Sequence, residues 1–125
     1  MLVLAKASCG SSSCHGFFVD PETGDLLVVG NRTGVVGAEP RAVVEVRRDV
    51  YEEATNALGH AARSVGIDSD GGDPLAVEIV GDVAFVAGRP VPVPPSTIGV
   101  APHESLVLVR RIDQAFARAL AEALA

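Results

Sequence analysis

The chain has 125 residues, a length that one domain with a single hydrophobic core accommodates. Hydrophobic residues make up 48% and charged residues 21%, which excludes a disordered chain, and aromatic residues make up only 4%, so the core must consist mainly of Val, Leu and Ala. The net charge of −6 disfavours nonspecific binding to nucleic acid, and no apolar run approaches the about 18 residues of a membrane span, so we expect a cytoplasmic protein without membrane contact.

The first part of the chain is predicted to consist of strands. Apolar runs at residues 2–6 and 16–20 indicate two short strands, and Pro21 is placed for a turn into a third strand at residues 26–29. The second and third strands therefore form a hairpin. Residues 30–41, which contain several glycines, are predicted to form a loop.

A strand at residues 42–46 leads into the first predicted helix. From Asp49 onward, apolar residues recur at helical spacing, and acidic residues occupy the first turn, where the helix dipole favours anions. This pattern predicts a helix over residues 49–64. It should end near Ser64, because Gly66 follows.

The second part of the chain is predicted to repeat this order. Apolar residues 75–80 and 83–87 indicate a second hairpin, and the Pro-rich residues 89–95 must be extended, as a sheet edge or a loop rather than a central strand. Residues 106–109 indicate the last strand. An amphipathic pattern over residues 111–124 predicts the second helix.

Two segment pairs indicate an internal repeat. Residues 24–32 align without a gap on residues 81–89, and residues 43–48 align on residues 106–111. We therefore predict one α+β domain over residues 1–125, in which two pseudo-repeated ββ(β)α units form a mostly antiparallel sheet with two helices packed on it. The units cover about residues 1–65 and 75–125, and an acidic linker at 66–74 joins them.

Soft metal ligands cluster only near the amino terminus, where Cys9 and Cys14 precede His15. A zinc site needs about four ligands, and the other two histidines, His60 and His103, are distant in sequence. Metal binding, a redox-responsive cysteine pair and structural thiols are the open alternatives, and we expect no metal and no cofactor.

No pattern nominates catalytic residues. The chain has no Gly-x-Ser-x-Gly elbow and no phosphate-binding Gly-Lys-Ser/Thr sequence. The acidic stretch from Asp68 to Asp73 departs from a calcium loop, whose sixth position needs glycine and whose twelfth needs glutamate. We therefore expect a protein that is not an enzyme.

Two arginine pairs hold matching places, each between a predicted strand and a predicted helix. These residues are Arg47, Arg48, Arg110 and Arg111. Two matched guanidinium pairs could bind an acidic partner or DNA phosphates. The alternative is that they flank the strand ends in solvent.

The last strand is apolar on both faces, unlike the strand at residues 42–46, which includes Glu45. A strand of this kind lies either under two layers or at a subunit contact. Because only two helices are available to cover the sheet, we expect a homodimer whose interface includes residues 105–124. The predicted interface residues are Leu106, Val107, Leu108, Val109, Phe116 and Leu120.

The Cys/Ser-rich residues 9–14, the hairpin that ends in Val-Val-Gly at Gly30, and the strand at residues 42–46 before a helix resemble a family of short uncharacterised actinobacterial proteins. The resemblance covers about half of the chain. One lysine against nine arginines also fits a GC-rich genome. Members are often encoded beside helix-turn-helix regulators of development, so the resemblance implies a small regulatory or interaction protein whose partner is such a regulator.

Three functions are consistent with the sequence. We expect a non-enzymatic regulatory or scaffold protein that acts through protein contacts. The alternatives are a DNA-binding regulator that uses the paired arginines, and a structural component of a phage or plasmid.

Overall fold

The computed structural model describes residues 2–6, 15–36, 42–64, 77–92, 98, 100, 103–112 and 114–124. These ranges contain seven strands and two helices, which confirms the predicted α+β class. In chain order they are β1 (Leu2–Lys6), β2 (Gly16–Val19), β3 (Asp25–Val36), β4 (Ala42–Arg47), α1 (Arg48–Ser64), β5 (Val77–Val80), β6 (Val83–Pro90), β7 (Glu104–Arg111) and α2 (Gln114–Leu124).

All described strand pairs are antiparallel and belong to one sheet. Four strands form a closed ring, because β3 pairs with β4, β4 with β6, β6 with β7, and β7 again with β3. The β2 strand extends this ring from β3 and carries β1 on its other edge, while β5 extends it from β6. We call the ring face that carries the main apolar cluster the inner face and the opposite face the outer face.

The main apolar cluster joins the inner face to both helices. Successive strand residues point to opposite faces, so alternate residues of each ring strand enter this cluster. The helices contribute the apolar stripe that their 3.6-residue period predicts, so the core consists mainly of aliphatic side chains with two phenylalanines. Its fully buried members are Phe17, Val19, Leu26, Val28, Val44, Val46, Ala54, Ala84, Val86, Val107, Phe116, Ala117 and Leu120.

The prediction of a loop over residues 30–41 is wrong for its first part, because β3 continues to Val36. After its pairing with β2 ends, β3 pairs instead with β4, where Asn31 lies opposite Glu45. The glycines in this segment suggested a loop, but Gly30 permits a close approach of strands: a Cβ there would lie 2.6 Å from the Glu45 carbonyl oxygen.

The second helix starts later than predicted, at Gln114 rather than at residue 111. Arg111 is the last residue of β7 and lies opposite Asp25, and the Ile112 amide donates a 2.7 Å hydrogen bond to the Gly24 carbonyl. Pairing with β3 therefore holds this segment extended, although its apolar pattern continues into the helix.

The gapless alignment of residues 24–32 with residues 81–89 is wrong by one residue within the strands. Leu26 and Val28 enter the main cluster, whereas the residues aligned with them, Val83 and Phe85, are half-buried on the outer face. A shift of one residue exchanges the two faces of a strand. The two aligned segments therefore agree in which residues face the core only if one residue is inserted in the alignment. Duplication of the two units stays a prediction.

Candidate functional site

The first arginine pair lies at the junction of β4 and α1, as predicted. Arg47 is the last residue of β4 and Arg48 is the first residue of α1. With Asp49, Glu52 and Asp82 they line an open cleft of about 650 Å³. The cleft lies between the first helix and the turn that joins β5 to β6.

Acidic neighbours on the same chain compensate both guanidinium groups. Arg47 donates to both carboxylate oxygens of Asp49, at 3.1 and 2.6 Å. Arg48 donates from Nε to Glu52 at 2.8 Å, one turn further along the helix. With Asp82, three acidic residues line the cleft against two basic ones. The cleft therefore lacks the positive charge that a phosphate backbone requires.

The second arginine pair matches the first in its strand position but not in its relation to a helix. Arg110 lies opposite Leu26, near the start of β3, and Arg47 lies opposite Val83, at the start of β6. Each arginine therefore lies beside the turn that precedes its partner strand. However, α1 begins at the second arginine of its pair, whereas α2 begins after Arg111. The predicted place between strand and helix is thus wrong for the second pair, whose side chains lie outside the described part of the chain.

The outer face of β2, β3 and β7 is covered by a second apolar cluster. Its strand residues are Phe18, Leu27, Val29, Leu106 and Leu108. The chain that follows β6 lies over them and contributes Val91, Ile98 and Val100. The Val91 amide also donates a 3.0 Å hydrogen bond to the Leu106 carbonyl, which ties this segment to β7. One connection of the same chain thus shields this face.

The predicted dimer interface is largely buried within one chain. Leu106, Val107, Phe116 and Leu120 are at most 2% exposed. Val107 faces the main cluster, and the opposite face of β7 is covered by the second cluster. The premise that β7 needs a second copy to cover its apolar side chains is therefore wrong, and the dimer itself stays a prediction.

The outer face of β4, β5 and β6 differs, and we call it the Phe85 surface. Phe85 lies directly between Glu45 of β4 and Glu78 of β5, so these three side chains form one row across the sheet. None of the described apolar residues around Phe85 on this face packs against either apolar cluster. The surface comprises Val43, Glu45, Glu78, Val80, Val83, Phe85 and Ala87.

Two apolar residues at the β5 edge are strongly exposed. Val80 is 56% exposed on the outer face, and the neighbouring Ile79 is 40% exposed. In the described sheet, β5 pairs only with β6, so its other edge carries unpaired backbone groups. Sequence analysis identified neither this edge nor the Phe85 surface, because the apolar residues 75–80 and 83–87 indicated only a hairpin.

A polar cluster adjoins the Phe85 surface across β3, because Asn31 lies opposite both Glu45 and Glu104. Glu104, which is 1% exposed, has its Oε2 3.8 Å from His15 Nε2, and it lies opposite Asn31 in the β3–β7 pairing. Arg32 Nε donates to the Glu104 carbonyl at 3.2 Å and to Ser105 Oγ at 2.9 Å. These contacts join β3, β7 and the residue that precedes β2. Sequence analysis missed Glu104; the available signal was an acidic residue at the start of an apolar strand.

The cysteine alternatives lie outside the described residues, since neither Cys9 nor Cys14 belongs to them. Within the described ranges, no group of three or more His, Cys, Asp and Glu side chains could hold a metal ion. His15 contacts Glu104 instead, as one polar pair. Metal binding and redox pairing of the cysteines therefore stay open.

Among the described helices, none is both long and apolar enough to cross a membrane. Comparison of the chain with protein-family models, with curated proteins and with solved structures finds no match.

Proposed function

We propose that this protein is a non-enzymatic regulatory or scaffold protein that acts through contact with another protein. The Phe85 surface carries this proposal. Apolar residues occupy the outer face of β2, β3 and β7 and also that of β4, β5 and β6, yet the described part of the chain supplies an apolar cover only for β2, β3 and β7. Contiguous apolar surface of this kind is typical of protein interaction sites.

The alternative of DNA binding has less support. Arg47 and Arg48 are each paired with a carboxylate, and their cleft contains more acidic than basic residues. The net charge of −6 opposes approach to a phosphate backbone. In a gel-shift titration at low salt we expect no tight, salt-sensitive binding; such binding would favour the DNA alternative.

The resemblance to actinobacterial proteins suggests a helix-turn-helix regulator as the partner. A homodimer is the other proposed assembly, but contact through residues 105–124 would have to use side chains other than the buried Leu106, Val107, Phe116 and Leu120. The Phe85 surface, which includes the exposed Val80, offers either partner a more accessible place to bind.

Site-directed crosslinking in cells of the source organism tests this proposal. A photoreactive Val80→p-benzoylphenylalanine variant places the crosslinker at the margin of the Phe85 surface, and the matched Glu53→p-benzoylphenylalanine variant places it at an exposed position of α1. We expect a discrete adduct with another polypeptide from position 80 and none from position 53. Absence of any adduct at position 80 would contradict the proposal.

A further inference from the structure

We infer that the Phe85 surface binds a basic segment of a partner protein, in which two cationic side chains flank an apolar one. This inference rests on the proposed function and specifies the chemistry of the partner. Its basis is the row Glu78, Phe85, Glu45, in which one aromatic ring lies between two carboxylates on one face of the sheet.

The spacing of this row sets the geometry of the partner. Neighbouring strands lie about 4.8 Å apart, so the two glutamates, one strand away from Phe85 on either side, have backbones roughly 10 Å apart. A partner must therefore present two cations at about that separation, with an apolar side chain toward Phe85. Arginine suits this place particularly well, because its guanidinium pairs with carboxylates and also stacks on aromatic rings.

Both carboxylates are available for such contacts. In the described part of the chain, neither Glu45 nor Glu78 has an ion pair. Two cations share the outer face of these strands: Arg47, which is held by Asp49, and the exposed Arg89, four residues beyond Phe85 and therefore roughly 13 Å along β6. The centre of the surface is consequently acidic.

Charge also disfavours two other occupants of the surface. A second copy, packed about a twofold axis at Phe85, would bring four glutamates together, and like charges at an interface oppose association. The chain's own residues 65–76 contain three aspartates and no lysine or arginine. Of these three occupants, a basic partner is the one whose charges attract both Glu45 and Glu78.

Charge reversal combined with crosslinking at position 80 tests this inference. The variant Glu45→Lys with Glu78→Lys reverses both carboxylates of the row. Its matched control, Glu53→Lys with Glu122→Lys, makes the same change in net charge at exposed positions of the two helices. The milder variant Glu45→Gln with Glu78→Gln removes the charges and preserves side-chain size. Circular dichroism establishes that each variant is folded before crosslinking is compared.

We expect reversal of Glu45 and Glu78 to lower the adduct yield at position 80 at least about tenfold, the glutamine variant to lower it less, and the helix control to leave it unchanged. Mass spectrometry of the adduct should locate the crosslink in a segment with Lys or Arg on both sides of an apolar residue. If the reversal variant does not fold, the glutamine variant decides: a lowered adduct yield supports the inference and an unchanged yield overturns it.

The possible failures are distinguishable. An adduct with another protein that lacks such a basic segment, or an adduct whose yield is unchanged in the glutamine and reversal variants, overturns this inference and leaves the proposed function intact. A crosslinked dimer of this chain overturns the inference in favour of a second copy. Absence of any adduct contradicts both proposals.

Discussion

The two halves of the ring place apolar side chains on their outer faces but treat those faces differently. On β2, β3 and β7, Phe18 and Leu27 are nearly inaccessible under Val91, Ile98 and Val100. On β4, β5 and β6, the same face carries the half-buried Phe85 and the exposed Val80. Strands of similar composition thus form a closed core in one half and a candidate contact surface in the other.

The connections that follow β3 and β6 differ in length and in apolar content. The link from β6 to β7 spans residues 91–103 and brings three apolar side chains over the first half. The corresponding link from β3 to β4 spans only residues 37–41, and Ala38 is its single apolar side chain other than proline. The link after β3 therefore carries fewer apolar side chains than the link after β6.

The inner structure of the two halves is more alike than their surfaces. Gly30 of β3 and Gly88 of β6 each lie where the strand approaches another closely: an added Cβ would meet the Glu45 carbonyl oxygen at 2.6 Å and the Leu108 carbonyl oxygen at 2.8 Å, respectively. Glu45 and Leu108 are themselves aligned in the predicted repeat of residues 43–48 with 106–111. The two halves therefore resemble each other in where their strands approach closely, and not in the gapless alignment of residues 24–32 with residues 81–89.

The largest expected effect contrasts the two outer faces directly. Phe18→Ala should lower the free energy of unfolding by about 3–5 kcal/mol, because it leaves a cavity in a closed cluster. Phe85→Ala should cost only about 1 kcal/mol, because its ring is already partly in solvent. Urea denaturation of both variants measures the difference. Equal costs would mean that the Phe85 surface is as well packed as the covered face.

Removal of part of the cover should make the first half resemble the second. Ile98→Ala should cost roughly 2–4 kcal/mol and should increase binding of a dye that reports exposed apolar surface. Asn56→Ala, at an exposed position of α1, is the control: it should not lower stability and should leave dye binding unchanged. Unchanged stability in the Ile98 variant would argue that residues 91–100 do not stabilise the sheet.

Alanine substitutions at Gly30 and Gly88 test whether the two halves contain the same close approach between strands. Gly30→Ala and Gly88→Ala should each cost about 1–3 kcal/mol, since the new methyl group would collide with backbone atoms. Gly59→Ala in α1 is the control: its Cβ would meet only the Arg63 side chain at 3.6 Å, and helix propensity should stabilise it by up to about 1 kcal/mol. Tolerance at Gly88 but not at Gly30 would break the correspondence.

The smallest effect is expected at the first arginine pair. Arg47→Ala and Arg48→Ala should each lower the free energy of unfolding by at most about 1 kcal/mol, because both ion pairs are exposed and screened by solvent. Thermal or urea denaturation at low and high salt measures this. A larger loss would show that the cleft contributes to the junction of β4 and α1 through more than these ion pairs.

Much of the local structure could be predicted because its signals lie within a few residues. The turns before β3 and β6 contain Gly24 and Gly81, whose φ angles of 79° and 60° favour glycine, and both hairpins follow from them. The helical spacing from Asp49 placed α1 within one residue of its start and at its end, Ser64. The candidate site was harder to predict from the sequence. The sequence identified Arg47 and Arg48, but not the acidic residues that neutralise them or the row around Phe85.

The amino-acid sequence by itself determined the α+β class, the order of most strands and helices, and the turns, because these depend on short-range backbone preferences and on periodic apolar residues. Only the tertiary structure decided that β3 continues past Gly30, that β7 pairs with β3, and which face of each strand enters the core. Side chains alternate along a strand, so one residue of register exchanges inside and outside. That register is fixed by partners as far away in sequence as Asp25 and Arg111, and no local pattern reports it.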